Sequence, residues 1–230
     1  MKRKLVVLSG AGVSAESGIR TFRDSDGLWE NFKVEDVASI DGWYRNPEVV
    51  INFYNERRVQ LADVVPNHAH RIIAELENLY DVVVVTQNVD DLHERAGSTN
   101  IIHLHGELTK ICPEDNKSLI TDIGYSKINY GDCDDRGVQM RPFIVWFGED
   151  VPLINRAIQE VQSADILLVI GTSLNVYPAA SLVYYIKPGT PIYLIDPKAV
   201  NINIPNVVQI QETATAGMRK LYDILSESEI

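Results

Sequence analysis

The sequence predicts an α/β fold in which a doubly wound parallel sheet carries a small second lobe. Short apolar runs rich in β-branched residues recur along the chain without polar alternation, which is typical of strands buried on both faces. Helical patterns lie between these runs, as in open parallel sheets. The alternation is interrupted at residues 30–76 and 107–142. We therefore expect two insertions that together form the small lobe.

Each element follows from its local pattern. The predicted strands are residues 5–8, 82–86, 101–105, 143–147, 166–172 and 192–196. The predicted helices are residues 47–63, 66–80, 153–163, 178–186 and 215–225. Prolines at or near four helix starts fit the preference of proline for the first helical turn. The expected sheet domain comprises residues 1–29, 77–106 and 143–230. The small lobe then comprises residues 30–76 and 107–142.

Composition excludes several classes of protein. The chain has 230 residues, of which 45% are hydrophobic and 23% charged, as in ordinary globular domains. The net charge of −11 argues against nucleic-acid binding through a basic face and favours a cationic partner. No apolar run approaches the ~20 residues that span a bilayer, and we expect a cytoplasmic protein. Two cysteines, Cys112 and Cys133, exclude a disulfide framework and a four-cysteine zinc site.

A glycine-rich segment directly follows the first strand, and residues 10–18 read GAGVSAESG. Glycines let a backbone approach a pyrophosphate, and a helix N-terminus beyond them supplies N–H donors. The spacing differs from the usual dinucleotide fingerprint, so a simple tight turn is the alternative. Arg20 and Arg23 follow and have the planar guanidinium suited to phosphate.

Polar segments follow two further predicted strands. Residues 86–93 read TQNVDDLH, and their amides and carboxylates suit a carboxamide and ribose hydroxyls. A capped helix start, with Asn88 or Asp90 as the cap, is an equal alternative. Residues 103–107 read HLHGE, and a histidine there can accept a proton from a ribose hydroxyl, although a lone histidine is more often structural.

Two more segments complete the pattern. Residues 145–149 read VWFGE, a strand edge that could accept an extended peptide or simply a core strand ending in a turn. Residues 171–173 read GTS and end the most apolar strand, where small residues leave space for a cofactor. An ordinary turn is the alternative there too.

These five segments, in this order, resemble the sirtuin family of NAD-dependent protein lysine deacylases. The resemblance runs through most of the chain and is most specific in residues 10–23, which read GAGVSAESGIRTFR. It implies a Rossmann-like domain with a small lobe made from two insertions. It also implies transfer of an acyl group, acetyl and also succinyl or malonyl, from lysine to ADP-ribose, with release of nicotinamide.

The resemblance assigns roles residue by residue. His105 is implied as the general base that activates a ribose hydroxyl, with Asn88 and Asp90 as further catalytic residues at the nicotinamide end. The implied NAD-binding residues are Gly10, Ala11, Gly12, Ser14, Glu16, Gly18, Ile19, Phe22, Arg23, Trp29, Gln87, Asn88, Val89, Asp90, Gly171, Thr172, Ser173 and Asp196. The implied peptide-binding residues are Val145, Phe147, Gly148 and Glu149.

Tyr54 and Arg57 lie three residues apart on a predicted helix and share a face. The resemblance is closest to a bacterial branch that carries this Tyr-x-x-Arg pair in the acyl pocket. It implies recognition of a carboxylate-bearing acyl group such as succinyl or malonyl, for which guanidinium and phenol are suited. A surface arginine on an amphipathic helix is the alternative, and Arg58 is expected to be solvent-facing or structural.

The sequence departs from the family at two places. The family usually binds structural zinc through four cysteines, whereas the chain reads CPED at residues 112–115 and DCDD at residues 132–135. We therefore expect no zinc and a lobe held by packing alone. The expected packing residues are Ile120, Ile123, Tyr125, Ile128 and Tyr130. Asp196 stands where the family commonly places asparagine for the adenosine ribose.

Three functions are compatible with these motifs. A protein lysine deacylase accounts for the full set of Asn88, Asp90 and His105. An NAD-cleaving mono-ADP-ribosyltransferase or glycohydrolase is the first alternative. A non-catalytic NAD-binding module is the second, because the cysteine region is altered.

Overall fold

The computed structural model describes residues 2–19, 28–29 and 32–227, with the backbone alone at residues 28 and 29. Its strands are β1 (Lys4–Ser9), β2 (Leu28–Trp29), β3 (Phe32–Lys33), β4 (Asp81–Thr86), β5 (Ile101–His103), β6 (Gly106–Pro113), β7 (Thr121–Asp122), β8 (Met140–Ile144), β9 (Ile166–Ile170), β10 (Ile192–Ile195) and β11 (Val207–Ile210). Its α-helices are α1 (Val34–Val37), α2 (Ile40–Arg45), α3 (Pro47–Asp63), α4 (His68–Glu75), α5 (Leu92–Ala96), α6 (Ile154–Gln162) and α7 (Ala214–Glu227).

Six parallel strands form the main sheet, in the order β11-β10-β9-β1-β4-β5. The order reverses at β1, which pairs with β4 on one side and β9 on the other. This arrangement confirms the predicted doubly wound α/β class. Ligands of such sheets bind beyond the carboxyl ends of the strands at the reversal point.

Both faces of the sheet are buried, which explains the continuous apolar runs. Alternate residues of a strand point to opposite faces. Leu5 and Val7 of β1 pack with α4 and α7 in one core, whereas Val6 and Leu8 pack with α6 in the other. The sheet is therefore the middle of three layers.

A second unit surrounds the antiparallel sheet β7-β6-β8. Its core joins residues of α2, α3, β6 and β8 around Trp43, Tyr54 and Trp146. α4 packs on the main sheet instead, through Ala69, Ile72 and Ile73. The domain limits remain a prediction. The packing of α4 on the main sheet favours an end of the first insertion near residue 64 rather than 76.

Several predicted elements match the structure and some do not. α3 begins and ends where the periodicity places it. The predicted strand at residues 143–147 is shifted to Met140–Ile144 and lies in the antiparallel sheet. The predicted helix at 178–186 is a 3-10 helix, Ala179–Tyr185. β11 was missed because it is an edge strand with partly exposed residues at every position. No helix within the described ranges is long and apolar enough to cross a membrane.

Arg58 is fully buried in α3, so it is structural and the solvent-facing alternative is wrong. Its Nε donates to the carbonyl of Leu108 at 2.7 Å, and its Nη1 donates to Oδ1 of Asn55 at 2.8 Å. Asn55 in turn bonds the backbone of Ile128. Burial lowers the pKa of Arg58 to about 10, so the guanidinium stays charged at neutral pH. This network fixes α3 to β6 and to the loop before β8.

We expect Arg58→Met to lower the free energy of unfolding by about 2–4 kcal/mol, because the Leu108 carbonyl loses the Arg58 donor and Asn55 Oδ1 loses one of its two donors. Urea unfolding followed by circular dichroism measures the change. Arg71→Met is the matched control, since Arg71 is exposed on α4 and its loss is expected to cost less than about 0.5 kcal/mol. Equal stability of the two variants would contradict the structural role of Arg58.

Candidate active site

The carboxyl ends of the parallel strands meet at one edge of the sheet. Backbone hydrogen bonds continue the ladder one residue past each strand. Gln87 N donates to the Ser9 carbonyl at 2.9 Å, and Gly10 N donates to the Ile170 carbonyl at 3.0 Å. Gly171 N donates to the Ile195 carbonyl at 3.0 Å. The segments after β1, β4, β9 and β10 are therefore neighbours.

The glycine-rich segment packs directly on the end of β9. Gly12 N donates to the Gly171 carbonyl at 2.9 Å. A Cβ on Gly12 would lie 2.7 Å from the Gly171 Cα, and Gly171 has a φ of +64° that disfavours other residues. Two 3-10 turns, Ala11–Val13 and Ala15–Ser17, follow the strand. The expected α-helix N-terminus is absent from residues 10–19, so the donors in this segment are those of the turns.

A chain of buried hydrogen bonds links this segment to the residues after β4. Asn88 Nδ2 donates to the Ser14 hydroxyl at 3.1 Å, and that hydroxyl donates to Asp90 Oδ2 at 3.0 Å. Burial raises the pKa of Asp90 to about 6, although hydrogen bonds from Leu92 N and Ser14 oppose the shift. Asn88 and Asp90 are thus oriented before any ligand binds.

His105 lies just beyond β5, next to Gln87. Its Nδ1 is 3.1 Å from the backbone carbonyl oxygen of Gln87, which can only accept a hydrogen bond. Nδ1 therefore carries the proton, and Nε2 carries the lone pair of the neutral ring. Burial lowers the pKa of His105 below 6.5, and the bond to Gln87 offsets only part of this effect. The imidazole is neutral at physiological pH and fits a general base.

A second layer of polar residues lies beneath the site, and sequence reasoning did not identify it. Ser9 Oγ donates to Thr86 Oγ1 at 2.9 Å and lies 2.9 Å from His93 Nε2. The rings of His93 and His70 contact edge to face, with centroids 4.9 Å apart. Burial lowers the pKa of His70 to about 4, and burial likewise holds the pKa of His93 well below its usual value. His70 shares an apolar helix face with Ile73, and this is the signal that could have indicated it.

Polar groups continue along the edge toward β10. Gln87 Nε2 donates to Thr172 Oγ1 at 3.3 Å. Ser173 follows and is half-buried. Asp196 is buried at the end of β10, where Oδ1 accepts from Lys198 N at 3.0 Å. The edge therefore presents donors and acceptors over four adjacent strand ends, as an extended dinucleotide requires.

Two acidic residues of the predicted set contact other parts of the chain. Glu16 accepts from Thr215 N at 2.8 Å and from the hydroxyls of Thr213 and Thr215. Burial alone would raise the pKa of Glu16, but these bonds outweigh it and the pKa is lowered. Glu149 accepts from Arg141, Lys117 and Trp146 N. In this structure Glu16 binds the start of α7, and Glu149 stabilises the turn after Trp146.

The segment at residues 145–147 connects to α3 through Trp146. Trp146 is buried, with half-buried Val145 and 48% exposed Phe147 on either side. Trp146 Nε1 donates to the Tyr54 hydroxyl at 2.9 Å. Phe147 N donates to the Ala38 carbonyl, and its carbonyl accepts from Ile40 N. These main-chain groups of Phe147 are not available to an added strand, while its side chain remains exposed.

The other predicted residues occupy the surroundings of the site. Ala11 is half-buried, Gly18 has a φ of +94°, and Gly148 is exposed. Ile19 and Val89 pack at the margin of the small-lobe core around Trp43, Tyr54 and Trp146. Phe22 and Arg23 lie outside the described residues, as does the side chain of Trp29.

The residues of the small lobe do not fit a zinc site. Cys112 is buried opposite Arg141 in the sheet, whereas Cys133 is exposed. Burial raises the pKa of the Cys112 thiol. Within the described ranges, neither cysteine belongs to a group of three or more close metal-ligating side chains.

An exposed ion pair stands at the positions three residues after each cysteine. Both Nη atoms of Arg136 donate to the Asp115 carboxylate, at 2.9 and 3.1 Å, and its Nε donates to Asp134. Such a pair stabilises little at the surface. Of the expected packing residues, Ile128 is buried and Ile123 packs at the margin of the core. The expectation was wrong for Ile120, Tyr125 and Tyr130, which are exposed.

The arrangement combines a neutral imidazole, an oriented amide and a carboxylate at one sheet edge. The lone pair on His105 Nε2 can accept a proton from a hydroxyl. Asn88 and Asp90 can hold a group that both donates and accepts hydrogen bonds, such as a carboxamide. The geometry therefore suits acid–base chemistry on a bound dinucleotide.

Comparison with known proteins gives consistent matches. The model of the family described as Sir2 matches residues 10–178. An NAD-dependent protein deacylase of Bacteroides thetaiotaomicron is 51% identical, covering 97% of this chain and 98% of that protein. One from Helicobacter pylori is 53% identical, covering 98% of each. A solved complex of a Sir2 homologue with NAD has a TM-score of 0.88 and 39% identity, covering 100% of this chain and 91% of that chain.

We expect Gly12→Ala to destabilise the fold by about 1–3 kcal/mol, because the new Cβ meets fixed backbone rather than a movable side chain. The measurement is thermal unfolding by calorimetry. Ala15→Ser is the control, since Ala15 is exposed in the same segment, and its effect is expected to stay within about 0.5 kcal/mol. A Gly12→Ala protein as stable as the control would show that the contact with Gly171 is not tight.

Proposed function

Because this chain belongs to the Sir2 family and is an NAD-dependent protein deacylase, we propose that it acts on lysines carrying acidic acyl groups. Succinyl-lysine and malonyl-lysine are the proposed preferred substrates, with acetyl-lysine as a further one. The observation that carries this proposal is the position of Tyr54 and Arg57 on α3, where the Tyr54 hydroxyl bonds Trp146 between Val145 and Phe147.

Among the described residues the Tyr54 hydroxyl has one hydrogen bond, which leaves its proton available. Trp146 Nε1 is a donor only, so the Tyr54 oxygen accepts from it. The hydroxyl proton can then be donated to a carboxylate. Burial raises the pKa of Tyr54, although the bond from Trp146 opposes the shift, so the phenol stays protonated at physiological pH. A phenol in this state is suited to bind an acidic acyl group.

Arg57 supplies the positive charge. Its guanidinium carbon lies 5.1 Å from the centroid of the Phe53 ring, which limits the orientations of the side chain. Its Nε and Nη1 atoms are shielded from solvent. A planar guanidinium binds a carboxylate with two parallel hydrogen bonds, and partial burial strengthens that attraction. Arg57 is therefore the proposed selectivity residue for the acid group.

The residues at the sheet edge are proposed to carry out the reaction. NAD, when bound, supplies the ribose carbon that accepts the acyl oxygen and the nicotinamide that leaves. Asn88 and Asp90 orient the carboxamide, and the 3-10 turns after β1 lie beside the phosphates. His105 Nε2 accepts a proton from a ribose hydroxyl while Nδ1 keeps its bond to the Gln87 carbonyl. Val145 and Phe147 flank the substrate peptide.

We expect Arg57→Met to lower kcat/KM for succinyl and malonyl peptides by about 10- to 100-fold, because a charge-assisted bidentate pair is lost. The acetyl peptide makes no such pair, so its kcat/KM changes little. Tyr54→Phe acts in the same direction with a smaller effect. Nicotinamide release and peptide mass, measured on matched acetyl, succinyl and malonyl peptides, check this expectation.

Arg71→Met is the control for loss of a surface charge, and it should leave the acyl preference unchanged. Equal rates of the unmodified enzyme on acetyl and succinyl peptides would contradict the proposed acyl selectivity. Nicotinamide release that does not depend on peptide would instead indicate NAD cleavage without deacylation.

We expect His105→Ala to lower deacylation by about 10²- to 10⁴-fold while NAD binding is retained. In the unmodified enzyme the rate should fall as the pH drops through the pKa of His105, which burial lowers below 6.5, because the base acts when neutral. Protonation of Asp90, whose pKa is about 6, contributes to the same fall of the rate at low pH. His68→Ala, which removes an exposed imidazole, is the control. Retained deacylation by His105→Ala would exclude His105 as the base.

A further inference from the structure

Two histidines at the end of β5, one at its last position and one just beyond it, lie beside successive backbone carbonyls of the segment after β4. His105 Nδ1 lies 3.1 Å from the backbone carbonyl oxygen of Gln87, and His103 Nδ1 lies 3.0 Å from the backbone carbonyl oxygen of Asn88. His103 also pairs with Thr86 in the sheet register. The proposed base and the proposed carboxamide-binding residue are therefore fixed to each other through β5.

His103 has a second partner that His105 lacks among the bonds of the described residues. Its Nε2 lies 2.7 Å from Oε1 of Glu94, on α5. Burial alone would raise the pKa of Glu94, but the bond and charge of His103 outweigh it and the pKa lies below 4.5. Glu94 is therefore an ionised acceptor at physiological pH.

Both partners of His103 accept hydrogen bonds, so both ring nitrogens must donate. A neutral imidazole has only one N–H, whereas the imidazolium has two. His105 needs a single N–H for its single carbonyl partner and can stay neutral. The two rings thus need different protonation states, cationic for His103 and neutral for His105, although only Leu104 separates them in the sequence.

We propose that His103 is a positioning residue of the deacylase, held as an imidazolium that binds the Asn88 carbonyl and Glu94 together. Through these bonds it sets the position of Asn88 relative to His105. The proposal rests on the proposed role of Asn88 in binding the carboxamide of NAD. In this role His103 acts through Asn88 rather than on the reacting atoms.

The surroundings of His103 favour the charged state. Burial alone would lower its pKa, but the bond and charge of Glu94, the Asn88 carbonyl and the charge of Glu107 outweigh it, and the pKa lies above 6.5. Glu107 on β6 pairs with Lys110 at 2.7 Å rather than with His103. The charge of Asp90 also interacts with that of His103 and favours the imidazolium. The charges of His93 on α5 and His103 disfavour each other, and the lowered pKa of His93 keeps it neutral.

Loss of the His103 proton has a defined consequence. The single remaining N–H goes to the Glu94 carboxylate, because a charged acceptor binds more strongly than a carbonyl. Nδ1 then presents a lone pair to the Asn88 carbonyl, and the two repel. Asn88 is released as pH rises through the pKa of His103, and the affinity for NAD falls.

Glu94→Gln separates this mechanism from a merely structural role. The glutamine amide can donate to Nε2, so a neutral His103 can still donate from Nδ1 to Asn88. We expect the NAD affinity of the unmodified enzyme to weaken by about three- to tenfold between pH 6 and 9, the value of one lost hydrogen bond. The Glu94→Gln enzyme should show no such loss. Glu107→Gln also removes one negative charge near His103, but it leaves the hydrogen bonds of His103 in place. This variant should still lose NAD affinity as the pH rises.

Titration calorimetry with NAD measures these affinities, and kcat/KM for NAD over the same pH range should follow them. Nitrogen NMR of the histidine rings provides a readout that does not depend on activity. At pH 7 it should show two protonated nitrogens on His103 and one on His105. A neutral His103, no alkaline loss in the unmodified enzyme, or an unchanged alkaline loss in Glu94→Gln would each overturn the proposal. Equal turnover of acetyl and succinyl peptides by an enzyme with these properties would contradict the proposed acyl selectivity alone.

Discussion

The parallel register of β1 between β4 and β9 determines where the functional residues lie. Ser9 pairs with Thr86 on one side and with Ile170 on the other. The next residues along each strand must therefore be neighbours, and they are Gly10, Gln87 and Gly171. Side chains from distant parts of the sequence meet without long connecting loops. Because both faces of the sheet are covered, the strand ends are also the place where polar groups can remain accessible.

Much of this arrangement could be predicted from the sequence, because strands buried on both faces leave continuous apolar runs. The polar segments that follow those runs placed Asn88, Asp90 and His105 at one edge. The contacts of Glu16 could not be predicted, since its partner Thr215 is 199 residues away. The same holds for Glu149 and Arg141, because their contact depends on the fold of the small lobe. β11 carries too little apolar signal for an edge strand to be identified.

The small lobe is held by aromatic and cationic packing where the family resemblance implies a metal. Arg141 is buried with its guanidinium carbon 3.5 Å from the centroid of the Trp146 ring, and Trp43 stacks on the same indole. Glu149 balances the charge of Arg141 through two hydrogen bonds. A buried cation of this kind depends on its carboxylate, since removal of Glu149 would leave a buried charge without compensation. The cluster also determines the position of Trp146.

The hydrogen bond between Trp146 and Tyr54 has a consequence for how substrate preference can change during evolution. One indole lies between the residues proposed to flank the peptide and the phenol proposed to bind the acyl group. A substitution at Trp146 therefore perturbs recognition of both parts of the substrate in one step. Lineages that change the accepted acyl group on this scaffold are expected to keep the indole and to vary its partners on α3.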